Sequence, residues 1–162
     1  MIQRLQSVFL FLVAVLGILT FLFPIATYLS DVAYYKFFVC SVRDYSRQPF
    51  GDVATQGIQF SKAFTTTLAV LQLIISGLAI FTIFKFRNRI LQIRIIYLNI
   101  FINVLLVGGI FYYSTILEKQ TNIVPEYGAG GIFPLLSIVL LFLANLFIQK
   151  DEKLVRSADR LR

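Results

Sequence analysis

Residues 63–84 read AFTTTLAVLQLIISGLAIFTIF, 22 consecutive uncharged residues between Lys62 and Lys85. A helix rises about 1.5 Å per residue, so about 20 apolar residues cross the roughly 30 Å of bilayer hydrocarbon. The stretch is long enough to cross once and too short to cross twice. Three more uncharged windows accompany it: 26 residues between Arg4 and Asp31, 23 between Arg94 and Glu118, and 23 between Glu126 and Lys150. None shows the strict two-residue alternation of a barrel strand, and a lone segment in hydrocarbon must satisfy its backbone polar groups internally. The chain therefore reads as an all-α membrane protein: one membrane domain, residues 1–162, built as a four-transmembrane-helix bundle. The expected spans are 8–28, 63–84, 95–117 and 131–149, with an outer loop at 29–62 and a tail at 150–162.

Composition agrees. The chain is 58% hydrophobic and 14% charged, with a mean hydropathy of +0.81, whereas soluble domains average about 45–50% apolar and about 25% charged. It has no His, no Trp and a single Cys. Those absences exclude His-ligated haem or zinc, Ser–His–Asp and Cys–His nucleophile systems, a CxxC redox pair and an internal disulfide. The first window exceeds the apolar core of a secretory signal and no A-x-A site follows it, so it reads as an uncleaved span. Phe37-Phe38-Val39 before Cys40 is not a lipobox, which leaves Cys40 as a free thiol in the outer loop.

Charge sets the expected orientation. Arg4, the second connection (Lys85, Arg87, Arg89, Arg94) and the tail (Lys150, Lys153, Arg156, Arg160, Arg162) hold ten bases against three acids, Asp151, Glu152 and Asp159. The first and third connections balance five bases with five acids. Lys and Arg near span ends are retained in the cytoplasm, so both termini are expected there. The basic residues Arg87, Arg89, Arg94, Lys150, Lys153, Arg156 and Arg160 are the expected contacts for lipid headgroups or a partner. The pI of about 9.8 is explained by this asymmetry, and nothing beside the basic residues resembles a nucleic-acid-binding platform.

Inside the spans the notable polar groups are neutral amides: Gln72, Asn99, Asn103 and Asn145. Asn99 and Asn103 share a helix face, and Asn99 and Asn145 lie at similar depth. An interhelical amide network is the expectation, each bond contributing about 0.6–2 kcal/mol. Pumps and ion-coupled transporters place ionisable residues in the membrane, and none of the four windows has one. The outer loop alternates through Tyr34, Lys36, Phe38, Cys40 and Val42, which suggests a strand. Gln48–Asp52 reads as a turn and Thr55–Phe60 as the partner strand of a short β-ribbon. Such a ribbon is marginal alone and needs support from the bilayer surface, the third connection or another subunit. The third connection, Val124–Gly131, reads as a glycine-rich turn leading into the last helix, with Pro134 in its first turn. The tail is expected to continue that helix.

The start Met1–Ser7, the run Phe133-Pro134-Leu135 to Leu143-Ala144-Asn145 and the ending Lys150–Arg162 resemble a bacterial membrane family known only as a domain of unknown function. The resemblance implies four inner-membrane spans over the whole chain and carries no activity, substrate or site residues. The arrangement of four helices with a strand-bearing first outer loop is also similar to that of claudin-type proteins, without their paired outer cysteines.

The expected function is non-enzymatic: an accessory, scaffold or assembly subunit of a bacterial inner-membrane complex, in contact with lipids and other membrane subunits, needing no metal or cofactor. The alternative is a protein that binds lipid or a small molecule at the four amides. An enzyme built on Asp31, Asp44 or Asp52 is the third reading. Reporter fusions at the C-terminus are expected to be active in the cytoplasm, and an external reporter would refute the orientation.

Overall fold

The computed structural model describes residues 3–30, 33–45, 62–86 and 88–159, with side chains between residues 6 and 154. Four helices dominate: α1 (Gln3–Leu22), α2 (Lys62–Phe84), α3 (Arg89–Thr121) and α4 (Ala129–Asp159). Three of them are long and apolar enough to cross a membrane: Lys62–Phe84, Arg89–Thr121 and Ala129–Leu154. The apolar stretch of α1, Gln6–Leu22, is shorter. α1 packs against α2 and α4, and α3 packs against the same two helices, so the four close a ring.

Inward-facing positions explain that packing. Gln6, Leu10, Val13, Gly17 and Thr20 on α1 are buried, as are Thr65, Leu68, Gln72, Ile75, Ala79 and Thr82 on α2. On α3 the buried series runs Gln92, Ile96, Asn99, Asn103, Leu106, Ile110, and on α4 Pro134, Ser137, Leu141, Ala144, Ile148. Each series alternates steps of three and four residues. That 3.5-residue repeat keeps one seam turned toward its neighbours and is the pattern of helices that interdigitate at a shallow crossing angle. The outward positions carry bare apolar side chains, among them Phe11 60%, Phe101 61% and Phe142 55% exposed. An apolar core that also buries amides, beneath an exterior of bare apolar side chains, is not the surface of a water-soluble domain.

The helix limits differ from the sequence reading where local chemistry intervenes. The first helix stops at Leu22 instead of continuing to Tyr28. Phe23 precedes Pro24, and a proline ring disfavours helical backbone in the residue before it. Beyond Pro24 the chain is extended, with the Ile25 N–H donating to the Phe37 carbonyl at 2.7 Å. α3 is longer than its expected span because caps hold both ends. The Asn88 side chain accepts from the Leu91 N–H at its start, and Asn122 closes its end in the left-handed region at φ 54°. α4 continues through the start of the tail to Asp159, as expected. It begins at Ala129, which makes Pro134 its sixth residue and removes the N–H that would have reached the Gly130 carbonyl.

The small antiparallel sheet is assembled from the first and third connections. Its strands are β1 (Ala26–Leu29), β2 (Tyr34–Phe37), β3 (Val42–Asp44) and β4 (Glu126–Tyr127), in the order β3-β2-β1-β4. The single strand expected through Tyr34–Val42 is two strands. The chain reverses at Val39-Cys40, where Phe38 and Ser41 exchange backbone hydrogen bonds of 2.8 and 3.3 Å. β1, formed by residues assigned to the end of span 1, pairs Ala26 with Phe37 and Leu29 with Tyr34. On its other edge it pairs Ala26 with Tyr127 and Thr27 with Glu126, so the third connection does support the ribbon. The expected turn Gln48–Asp52 and partner strand Thr55–Phe60 lie outside the described residues.

Backbone proximity at the end of α1 fixes two glycines. Gly128 and Gly130 donate N–H to the carbonyls of Ile25 and Pro24 at 2.9 and 3.1 Å. A Cβ on Gly130 would stand 2.7 Å from the Pro24 oxygen, against backbone that has no room to yield. Gly77 has open space around it. Gly130→Ala is expected to lose about 1–3 kcal/mol of stability, whereas Gly77→Ala leaves it unchanged or raises it by up to about 1 kcal/mol. Thermal unfolding in a mild detergent reads both.

Candidate functional site

The four amides singled out from the sequence are all brought inside. Gln72, Asn99, Asn103 and Asn145 are 1–2% exposed. Gln92 Nε2 donates to the Thr82 carbonyl at 2.9 Å and Asn99 Nδ2 to the Ile75 carbonyl at 3.1 Å, which fixes the antiparallel register of α2 and α3. That register sets Asn103 opposite the Leu71–Gln72 turn. Gln149 Nε2 donates to the Tyr97 hydroxyl at 3.1 Å and fixes α4 against α3. Gly17 opens the facing surface of α1: a Cβ there would come within 2.9 Å of Gln72 Nε2 and would collide with the Ser76 hydroxyl.

Of the four amides, Asn99 makes an interhelical hydrogen bond to the neighbouring helix. That bond runs to backbone, and Gln72 Oε1, Asn99 Oδ1, Asn145 Oδ1 and both polar atoms of Asn103 have no protein partner. Four of those five atoms are carbonyl oxygens. Chemically, the interior offers a neutral cluster of acceptors with one amide donor, suited to a species that donates hydrogen bonds. Among the described residues no group of three or more His, Cys, Asp or Glu is placed to hold a metal.

A second polar cluster ties the helices at the end where α1 begins. Arg89 Nη1 donates to the Asp151 carbonyl at 2.9 Å, and Nη2 lies 3.8 Å from the Asp151 carboxylate. Gln6 Nε2 approaches the same carboxylate at 3.4 Å. One α4 residue thus links α1 to α3. Beside it lies a cavity of about 540 Å³, lined by Gln6, Ser7, Arg89 and Gln92 on its polar side and by Ile83, Phe84 and Phe86 on its apolar side. Of the other expected basic contacts, Arg94, Lys150 and Lys153 are exposed. Arg87 and Arg160 lie outside the described residues, as does the side chain of Arg156.

The sequence reading missed Gln6, Gln92 and the inward role of Asp151. Gln6 and Gln92 fall on the same three-and-four step as their helices' buried apolar residues, a signal present in the chain. At the opposite end, the Tyr28 hydroxyl lies 2.8 Å from Ser114 Oγ and 3.1 Å from its carbonyl, docking β1 on α3. Phe37 packs on Tyr113, which stacks on Phe64 with centroids 4.8 Å apart. On β2 the Lys36 ammonium sits 5.2 Å from both the Tyr34 and Tyr45 rings. A hydrogen bond with Tyr34 raises its pKa above the ordinary lysine value.

Asn99→Ala removes one of the two α3–α2 side-chain bonds, leaving that of Gln92. It is expected to cost about 1 kcal/mol, read as a lower unfolding midpoint in bicelles.

No curated protein matches the chain. The family model described as "Domain of unknown function (DUF4293)" matches residues 2–161. With nearly the whole sequence covered, the chain belongs to this family of proteins sharing a domain of unknown function.

Proposed function

We propose that the protein is a non-enzymatic, four-span integral membrane protein of the bacterial inner membrane, serving as an accessory, scaffold or assembly subunit of a larger complex. α1 is the fourth span: its 20 residues rise about 30 Å, and its outward residues Val8, Phe11, Leu12, Ile18 and Leu22 are exposed and apolar. Both termini face the cytoplasm, on the side where Lys85, Arg89, Arg94, Lys150 and Lys153 gather.

The observation that carries the subunit reading is how the interior polar groups are used. Asn99, Gln92, Gln6 and Tyr28 each reach a neighbouring element. Such bonds hold helices to one another and to the sheet, leaving an apolar girdle and a small extramembrane cap as the surfaces a partner meets. The amide atoms without protein partners favour a second reading, in which the interior binds a lipid group or small hydrogen-bond donor.

Isolation in a mild detergent followed by native mass spectrometry separates the two. The subunit reading expects a partner protein at fixed stoichiometry, lost when the cap residues Tyr34, Tyr45 and Tyr127 are replaced. A monomer carrying a small bound mass that Asn103→Leu removes would instead establish the second reading.

A further inference from the structure

The cavity beside Arg89 matches an amphiphile. Among the described residues that line it, polar and apolar ones occupy different elements: Gln6 and Ser7 come from α1, Arg89 and Gln92 from α3, and Ile83, Phe84 and Phe86 from the end of α2 and the turn after it. Gln6 and Gln92 are only 7% and 5% exposed, so the polar wall is built into the fold rather than draped over its surface. Phe84 and Phe86, by contrast, are 74% and 59% exposed and present bare rings at the mouth.

Arg89 supplies the charge. A guanidinium has five N–H donors in a rigid fork, and one is spent on the Asp151 carbonyl. The Asp151 carboxylate at 3.8 Å is too far for a hydrogen bond, so it orients the fork without saturating it. Arg89 is also the first residue of the 33-residue α3, whose N-terminal dipole favours an anion at the same place. We propose that this cavity holds the phosphate of an anionic phospholipid, with Arg89 as its principal donor and the acyl chains leaving over Phe84 and Phe86. A free phosphate would satisfy Arg89 and leave the aromatic wall uncovered. A lipid uses both walls, and on the four-span reading proposed above the cavity, at the ends of the helices, falls where headgroups meet hydrocarbon.

The full chain in nanodiscs of phosphatidylcholine, titrated with spin-labelled phosphatidylglycerol, tests this. Wild type is expected to immobilise phosphatidylglycerol in preference to labelled phosphatidylcholine. Arg89→Gln is expected to weaken that binding roughly tenfold, the loss of one charge-assisted hydrogen bond. Phe86→Glu places a carboxylate at the mouth while leaving the Arg89–Asp151 contact intact, and is expected to do the same. It decides the matter if Arg89→Gln fails to fold by circular dichroism. Arg94→Gln, exposed on α3 and outside the cavity, is expected to bind like wild type. Equal immobilisation of the two lipids, or equal losses from Arg94→Gln and Arg89→Gln, would overturn the proposal in favour of diffuse surface charge. Displacement of the labelled lipid by millimolar inorganic phosphate would overturn it in favour of a soluble anion.

Discussion

Hydrocarbon offers no hydrogen-bond partners, so a polar side chain carried into it is turned toward the protein interior and away from lipid. That constraint organises the molecule. The buried amides share the inward three-and-four positions with the apolar core, and the remaining phenylalanines and leucines face outward, where water would penalise them and lipid does not. The same constraint explains why charged side chains are kept to the ends, where Arg89 and Asp151 meet beyond the apolar stretches. Packing then follows from size: Gly17 is where α2 brings Gln72 and Ser76 closest to α1.

The helices were legible in the sequence because a window of more than 20 uncharged residues has few other physical outcomes. Their ends were less so. The first helix stops short at Pro24, which the apolar window does not register because Ile25, Ala26 and Tyr28 are as hydrophobic as the residues before them. The third helix runs past its window because hydropathy ignores caps such as Asn88 and Asn122. Tyr34 to Val42 alternates as a strand should, yet the reversal at Val39-Cys40 carries neither Gly nor Asn, the usual markers of a tight turn. The pairing of Ala26 with Tyr127 joins residues about a hundred positions apart, and no local pattern announces it.

For the interior, the sequence identified the amides by contrast: they are conspicuous among leucines and isoleucines. It did not reveal what they bond. Asn99 reaches a backbone carbonyl on α2, and every residue of a helix has one, so sequence cannot single out Ile75. The buried phase of each helix was available in principle. Gln6 lies four residues before Leu10, and Gln92 four before Ile96, in step with the core. A glutamine near a span end carries no charge and is common at a membrane boundary, so hydropathy and charge do not distinguish an inward Gln6 or Gln92 from a boundary residue.

The sheet order also has a temporal meaning. β1 leaves the ribosome soon after the first helix, but its outer neighbour β4 lies just ahead of the last one. The edge of β1 therefore stays open throughout most of translation and is sealed only when the segment leading into α4 emerges. Pro24 and Ile25 likewise wait for Gly128 and Gly130. The finished cap is thus a record that the third connection has arrived, and a chain truncated before β4 would display an open strand edge to its surroundings.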